Sequence, residues 1–387
     1  MRSSYKEDDV ILLLKDITGL VEPQPTEERE KLIQSGKHYS EMLPIEYVPT
    51  EKYMETYREA LKFYSGVVAR AVGVVADKII KLKGENVVLV SLARAGIPIG
   101  ILIKRYIRFR YGLDVPHYSI SIIRGRGIDD NAMKYLLERF KAGQLLFVDG
   151  WIGKGAILNE LKKDIAAYDG VSDDIAVVAD PANVTELCGT HEDILIPSSC
   201  LNSTVSGLIS RTFLRSDIIG KNDFHGAVYY GELKDADLSY QFIEAIENQF
   251  VLNDKVDERC LFKSGESAIC EGDSGYNESF AKMADKEIEK AGGKTESDIV
   301  LKGIDEVKKI AQDFCIDDIN FIKPGIGETT RVLLRRVPWK VLVAEKNKDA
   351  RELRHLIRLA AEKNVPVEYY PLRNYKCCGI IKHLSDV

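Results

Sequence analysis

The 387-residue chain is 45% apolar and 29% charged, with a formal net charge of −6. That is enough chain for two or three domains with substantial cores, and the mixed charge excludes a wholesale nucleic-acid coat. There is no apolar run long enough for a membrane span, the start "MRSSYKEDDV" is too acidic for a targeting signal, and seven scattered cysteines without a CxxC pair point to a reducing cytoplasm without structural zinc.

Residues 1–83 read as a helical and extended cover segment. "VILLL" is a core strand or helix, "VEPQPTEERE" a turn into a helix, and "SGKHYSEMLPIEYVPT", with Pro44 and Pro49, an extended stretch. "EKYMETYREALKFYSGVVARAVGVVADKIIKLKG" has apolar residues at three-to-four spacing and predicts one long helix or two, ending at Gly84.

The texture then changes. "NVVLVSL", "PHYSISII", "QLLFVDG" and "DIAVVADP" read as strands, with "DILIPS" as a fifth. Between them "IPIGILIKRYIRFRYG", "DDNAMKYLLERFKAG" (with Gly143 as its stop) and "KGAILNELKKDIAAY" read as helices. That alternation predicts an α/β fold with a doubly wound parallel sheet, assigned to residues 84–260. Residues 261–300 are polar and read as a linker. From 301 to 387 helix and strand patterns alternate again, over "IDEVKKIAQDF", "INFIKPG", "ETTRVLLRR", "WKVLVA", "DARELRHLIRLAAEKN" and "VPVEYYPL", predicting a smaller α/β module.

In "QLLFVDGWIGKGAILNEL" a buried strand ends in Asp149, and a glycine-rich turn with Lys154 opens a helix. A helix N-terminus offers unpaired N–H groups and partial positive charge, and glycines let that backbone close on a phosphate. Gly153, Lys154, Gly155, Ala156 and Ile157 occupy that place; the plain alternative is an ordinary strand-to-helix turn. Neither Walker A nor GxGxxG spacing is present. The junction resembles the phosphoribosyltransferase motif, in which a strand ends in two acids and a small-residue loop. Asp149 matches the first acid; Gly150 stands where the second would be. The resemblance implies a type I phosphoribosyltransferase-like sheet, ribose and magnesium binding at Asp149, and 5′-phosphate binding in the loop. It places a pyrophosphate loop at Ser91, Leu92, Ala93, Arg94, Ala95 and Gly96. It also places a mobile basic loop at Arg124 and Arg126, whose charges would stabilise the leaving group. The implied chemistry is displacement at the anomeric carbon of phosphoribosyl pyrophosphate by an unknown acceptor, with Mg2+ held by few carboxylates plus the substrate's phosphates.

A rival lies in "IPSSCLNSTVSG" and "DFHGA". Cys200 near a helix start and His225 form a candidate nucleophile and base, against the plain reading of two structural side chains. In the last module, "KPGIGETTRVLLRRVPWKVLVAEKNKDARELRHLIRLAAEKNVPVEYY" resembles the Pelota-type RNA-binding domain. Gly325, Gly327, Glu328, Thr329, Thr330 and Arg331 match the turn that the family sets against the RNA backbone, with Gly327 in place of its usual Asn. "SLARAGIP", "VDGWIGKGAI", "IPSSCLNSTVSG", "DFHGA" and "YKCCGII" together are similar to the StiP family of tellurite-resistance and stress-response clusters, which carries a cysteine-protease label. Sugar transfer is the leading expectation, with a nucleoside-like metabolite as the candidate product. A Cys200–His225 peptidase and a non-catalytic RNA- or nucleotide-binding protein are the alternatives. RNA is a candidate partner, no membrane is expected, and a homo-oligomer stays open.

Overall fold

The computed structural model describes residues 1–251 and 302–382. The expected linker at 261–300, with Cys270, lies outside the described residues, as does Cys260.

The strands of the first domain are β1 (Ile11–Leu12), β2 (Lys15–Asp16), β3 (Val88–Leu92), β4 (His117–Ile120), β5 (Ile122–Ile123), β6 (Gly127–Ile128), β7 (Leu145–Trp151), β8 (Ile175–Ala179), β9 (Cys188–Thr190) and β10 (Gly226–Ala227). Its helices are α1 (Thr26–Gln34), α2 (Glu51–Lys83), α3 (Gly96–Tyr111), α4 (Asp130–Leu137), α5 (Ala156–Ile165) and α6 (Ser239–Glu247). Six strands form one sheet in the order β1-β4-β3-β7-β8-β9, every neighbouring pair parallel. Successive residues of β7 point to opposite faces, as a pleated strand requires. Leu146 and Val148 join the core built with α2, α3 and α6, while Leu145 and Phe147 join the core built with α4 and α5. Both faces are covered, so the strands are continuously apolar rather than alternating.

The long predicted helix is α2, one continuous element that ends where Gly84 takes φ 72°. The expected fifth strand at "DILIPS" does not form. Its place beside β8 is taken by β9, and Asp193 leaves the sheet to bind backbone amides of the second domain. The helix expected to run to Gly143 stops at Leu137, because the amides of Arg139 and Phe140 turn back to the Leu136 carbonyl and set Phe140 against Tyr118. The N-terminal segment is not a separate cover. It supplies edge strand β1, pairs β2 with β10, and lays α2 over α3, β8 and β9. That last packing is tight: a Cβ at Gly189 would meet the Ala71 carbonyl oxygen at 2.3 Å. Strand β9 can lie against α2 because residue 189 has no side chain.

The second domain contains α7 (Gly303–Asp313), β11 (Ile322–Pro324), α8 (Ile326–Arg335), β12 (Pro338–Ala344), α9 (Arg354–Glu362), β13 (Val367–Tyr370) and β14 (Cys377–Ile381). Its sheet order is β11-β14-β12-β13, with only β12 and β13 parallel. The central strand β14 was not among the expected elements. One apolar cluster runs across the domain boundary, joining Leu195, Ile196 and Cys200 to Ile326, Leu333 and Leu356.

Candidate functional site

In this sheet order β3 is flanked by β4 on one side and β7 on the other, so the chain reverses direction across the sheet beside β3. A crevice outside the carboxyl ends of the strands at such a reversal is where open α/β sheets bind ligands. A cavity of about 500 Å³ lies there, closed on its far side by the second domain. Ala95, Asp149, Gly153, Lys154, Gly155, Ala156 and Ile157 line it, as does Arg124. The loop opens α5 with no side-chain cap, and Gly155 takes φ 83° there. Burial pushes the Asp149 carboxyl up to about 6, against the Gly150 N–H that it accepts at 2.7 Å.

Other residues expected around a pyrophosphate are engaged elsewhere. Arg94 donates to the Ile209 carbonyl at 2.7 Å and pairs with Glu46. Ser91 is sealed in the sheet, 2.7 Å from His117 Nε2, and the Ala93 amide donates to Ile120. Arg126 pairs with Glu41. The basic loop is a β5–β6 hairpin tied down by Asp164, which accepts the Ile128 amide at 2.7 Å, and by His38 at the Arg124 carbonyl. Asp129 caps α4. Among the described residues, no three histidine, cysteine, aspartate or glutamate side chains gather as a metal site, and Asp149 has the charges of Arg331 and Glu328 as neighbours.

The turn expected to meet RNA faces the first domain instead. Asp193 accepts the Ile326 amide at 2.9 Å with one carboxylate oxygen and the Lys376 amide at 2.9 Å with the other. The N-terminus of α8, which would attract a phosphate, is therefore already occupied by a carboxylate of this chain. Gly325 abuts Asp193 and Gly327 abuts Ser199. Thr329 is fully buried, and Thr330 bonds the Ile326 carbonyl and His355. Glu328 pairs with Arg331, whose guanidinium stacks 4.6 Å from the Trp151 ring centroid.

Asp193 also carries a pH signature. Burial pushes its carboxyl up to about 6, so the folded state binds that proton more tightly than the unfolded chain does. This group therefore adds stability as pH falls from about 7 to 4. Burial pushes His117 and His355 down to about 4, and they act oppositely, since the unfolded chain takes up their protons first. Asp193→Asn removes only the first effect. Urea unfolding across pH is expected to show the variant losing about 2–3 kcal/mol more than the wild type between about pH 7 and 4. Parallel pH profiles would reject this account.

Cys200 and His225 are not brought together. Cys200 follows β9 at one flank of the sheet, fully buried in the cluster beneath α2 and α8. His225 sits beyond β4 at the opposite flank, its Nδ1 2.8 Å from Ser121 Oγ and its amide bonded to Asp129. A different pair does meet. Cys188 Sγ lies 3.5 Å from His191 Nε2. His191 Nδ1 is 3.0 Å from the main-chain oxygen of Asp180 and 3.7 Å from its carboxylate. A carbonyl only accepts, so Nδ1 carries the proton and Nε2 is left as the basic nitrogen beside the thiol. The parts are fixed locally. Asp180 ends the run that includes β8, its carboxylate takes the amides of Val184 and Thr185 at 2.7 and 2.8 Å, and its own amide donates to Thr190. Asp180 and Cys188 are buried, whereas the His191 side chain is 42% exposed. The sequence held a signal for this pair in "CGTH", with a cysteine and a histidine three residues apart at a strand end.

Comparison with known proteins overturns sugar transfer. Residues 3–247 match the family described as "Tellurite-like stress resistance cysteine protease StiP", and residues 301–383 match the PELOTA RNA binding domain. The "Cysteine protease StiP" of Acinetobacter baylyi is 35% identical over 395 residues, covering 99% of this chain and 94% of that protein. Among solved structures, a hypoxanthine-guanine phosphoribosyltransferase from Bacillus anthracis is 16% identical over 37% of this chain and 75% of its own, with a TM-score of 0.21. A phosphosugar isomerase structure from Clostridium difficile is 13% identical over 80% of this chain and 68% of its own, with a TM-score of 0.20. Likenesses that low carry no argument. The expectation of a phosphoribosyl pyrophosphate-dependent transferase is replaced, because the family match and the relative both carry a cysteine-protease name. The match over residues 3–247 and the alignment along nearly the whole chain establish that the protein belongs to the StiP family.

Proposed function

We propose that the chain cleaves peptide bonds with Cys188 as nucleophile and His191 as its base. The observation that carries this reading is the 3.5 Å approach of Cys188 Sγ to His191 Nε2 while Nδ1 is held at the Asp180 carbonyl. The family's name and that of its Acinetobacter relative support the reaction class. Nε2 removes the thiol proton, and the thiolate adds to the peptide carbonyl carbon. The imidazolium then returns the proton to the departing amine as the C–N bond breaks, leaving a thioester. Water, deprotonated by the same nitrogen, cleaves the thioester and restores the thiol. Asp180 is a positioning residue: it fixes the ring's tautomer and faces the imidazolium that forms.

The sulfur is buried and also lies 3.9 Å from Nδ1, so the ring must turn and the exposed 191 turn must open for a substrate to enter. The test is capture by a peptidyl electrophile, followed by peptide mapping of the full chain. Cys188 is expected to be modified, and pre-incubation with the electrophile is expected to block hydrolysis. Labelling confined to another cysteine, with activity lost, would reject the assignment. The phosphoribosyltransferase-like reading of the sheet is retained as one of fold alone; the strand–loop–helix step at 145–165 supports it, and it assigns no transfer chemistry.

A further inference from the structure

The cleft at the end of β7 is not used by the peptidase centre, yet its walls carry an excess of cations. Arg29 comes from α1, Lys154 from the loop before α5, Arg211 from the segment before β10, and Lys323, Arg331 and Arg336 from the second domain. Some are partly compensated. Arg336 pairs with Glu30 at 2.8 Å, Arg331 pairs with Glu328, and Lys154 donates to the carbonyls of Ile319 and Ile322. The compensation is incomplete. The Nε atoms of Arg29, Arg211, Arg331 and Arg336 are buried without any hydrogen-bond partner. Arg29 as a residue is only 8% exposed.

An unsatisfied buried donor costs about 1–3 kcal/mol, and more when it is charged. These four side chains line one cavity, and with Arg124, Lys154 and Lys323 they outnumber its carboxylates, Glu30, Asp149, Asp318 and Glu328, which marks the cleft as a place for an anion. We propose that this interdomain cleft binds a small molecule bearing two or more linked phosphate groups, of nucleoside-diphosphate size. The uncapped amides at the start of α5 add to the same field. The volume of about 500 Å³ suits a mononucleotide rather than a folded polymer. The titration behaviour agrees. Burial, then the neighbouring Arg29, pushes Arg211 down to about 9, and burial, then Lys323 and Arg124, pushes Lys154 down to about 8. Because the cations come from both domains, such a ligand would also clamp them together.

The cleft provides its own reporter. Trp151 lines it beneath Arg331, and the only other tryptophan in the chain is Trp339. In full-length Trp339→Phe protein, pyrophosphate and ADP are each expected to change Trp151 emission saturably and to raise the thermal unfolding midpoint. Arg29→Gln is expected to weaken both ligands about tenfold or more, since it removes a charge-assisted donor. It is also expected to leave the ligand-free protein as stable or more so, because it relieves a buried charge that Glu30 and Glu46 compensate only in part. A purely structural Arg29 would instead lose ligand-free stability. No saturation with either ligand at millimolar concentration overturns the proposal, as does undiminished binding in Arg29→Gln. Saturation by an RNA oligonucleotide with no response to pyrophosphate overturns it too, assigning the charge to a polymer. None of these residues touches Cys188 or His191, so failure here leaves the peptidase assignment standing, and the converse holds.

Discussion

Cys188→Ala is expected to abolish peptide hydrolysis, lowering kcat/KM by about 1,000-fold or more, the scale on which loss of a nucleophile is felt in paired systems. His191→Ala should cost nearly as much, because a nucleophile and its base act as one unit. Combining the two changes should therefore add little. Asp180→Asn is expected to cost less. The group that holds His191 Nδ1 is the main-chain oxygen of residue 180, which the substitution leaves in place, and an amide oxygen can still accept from Val184 and Thr185. Cys200→Ala should keep its activity, since that thiol is packed in the core far from His225. Steady-state hydrolysis of a fluorogenic peptide by the full chain decides the matter. Full activity in Cys188→Ala, or its loss in Cys200→Ala alone, would remove Cys188 from the mechanism.

The second large effect concerns the seam between domains. Tyr375 is 1% exposed, packs in the core of the second domain, and donates through its hydroxyl to the Gly153 carbonyl of the first at 2.6 Å. Tyr375→Ala is expected to destabilise the chain by about 3–5 kcal/mol, the cost of emptying a buried aromatic site. Tyr375→Phe keeps the packing and strands one carbonyl, at about 1 kcal/mol. Urea unfolding separates the two. If Phe and Ala cost the same, the contact across the seam is what matters and not the volume filled. If neither costs more than a few tenths of a kcal/mol, the domains are not held together here.

Much of the first domain could be read from its sequence, because local and long-range signals agreed. Apolar spacing and Gly84 gave α2 its length, and short β-branched runs gave β3, β7 and β8. Asp149 and the Gly153–Gly155 turn were legible as a strand end opening a helix, since that geometry is written within a few residues. Strand β14 was hidden because "YKCCGII" is too short and too evenly apolar to show a period. The gathering of Arg29, Arg211 and Arg336 was invisible for a different reason: three distant segments supply it, and only tertiary packing makes them neighbours. Arg94 and Arg126 erred in the opposite direction. A basic residue beside a glycine turn looks free in sequence, whereas in the fold Glu46 and Glu41 take those charges. The helix start at 326–331 resembled an anion site and is one, but the anion is Asp193.

The N-terminal pairings bear on the order of assembly. Lys15 lies opposite Gly226, and Ile11 opposite Tyr118, so β1 and β2 are synthesised long before the strands they pair with. Such long-range closure is slow. Until residues near 226 emerge, β2 of the nascent chain has no partner, and until β8, β9 and α6 follow, apolar surface of α2 is uncovered, which makes this interval the natural point for a chaperone to act.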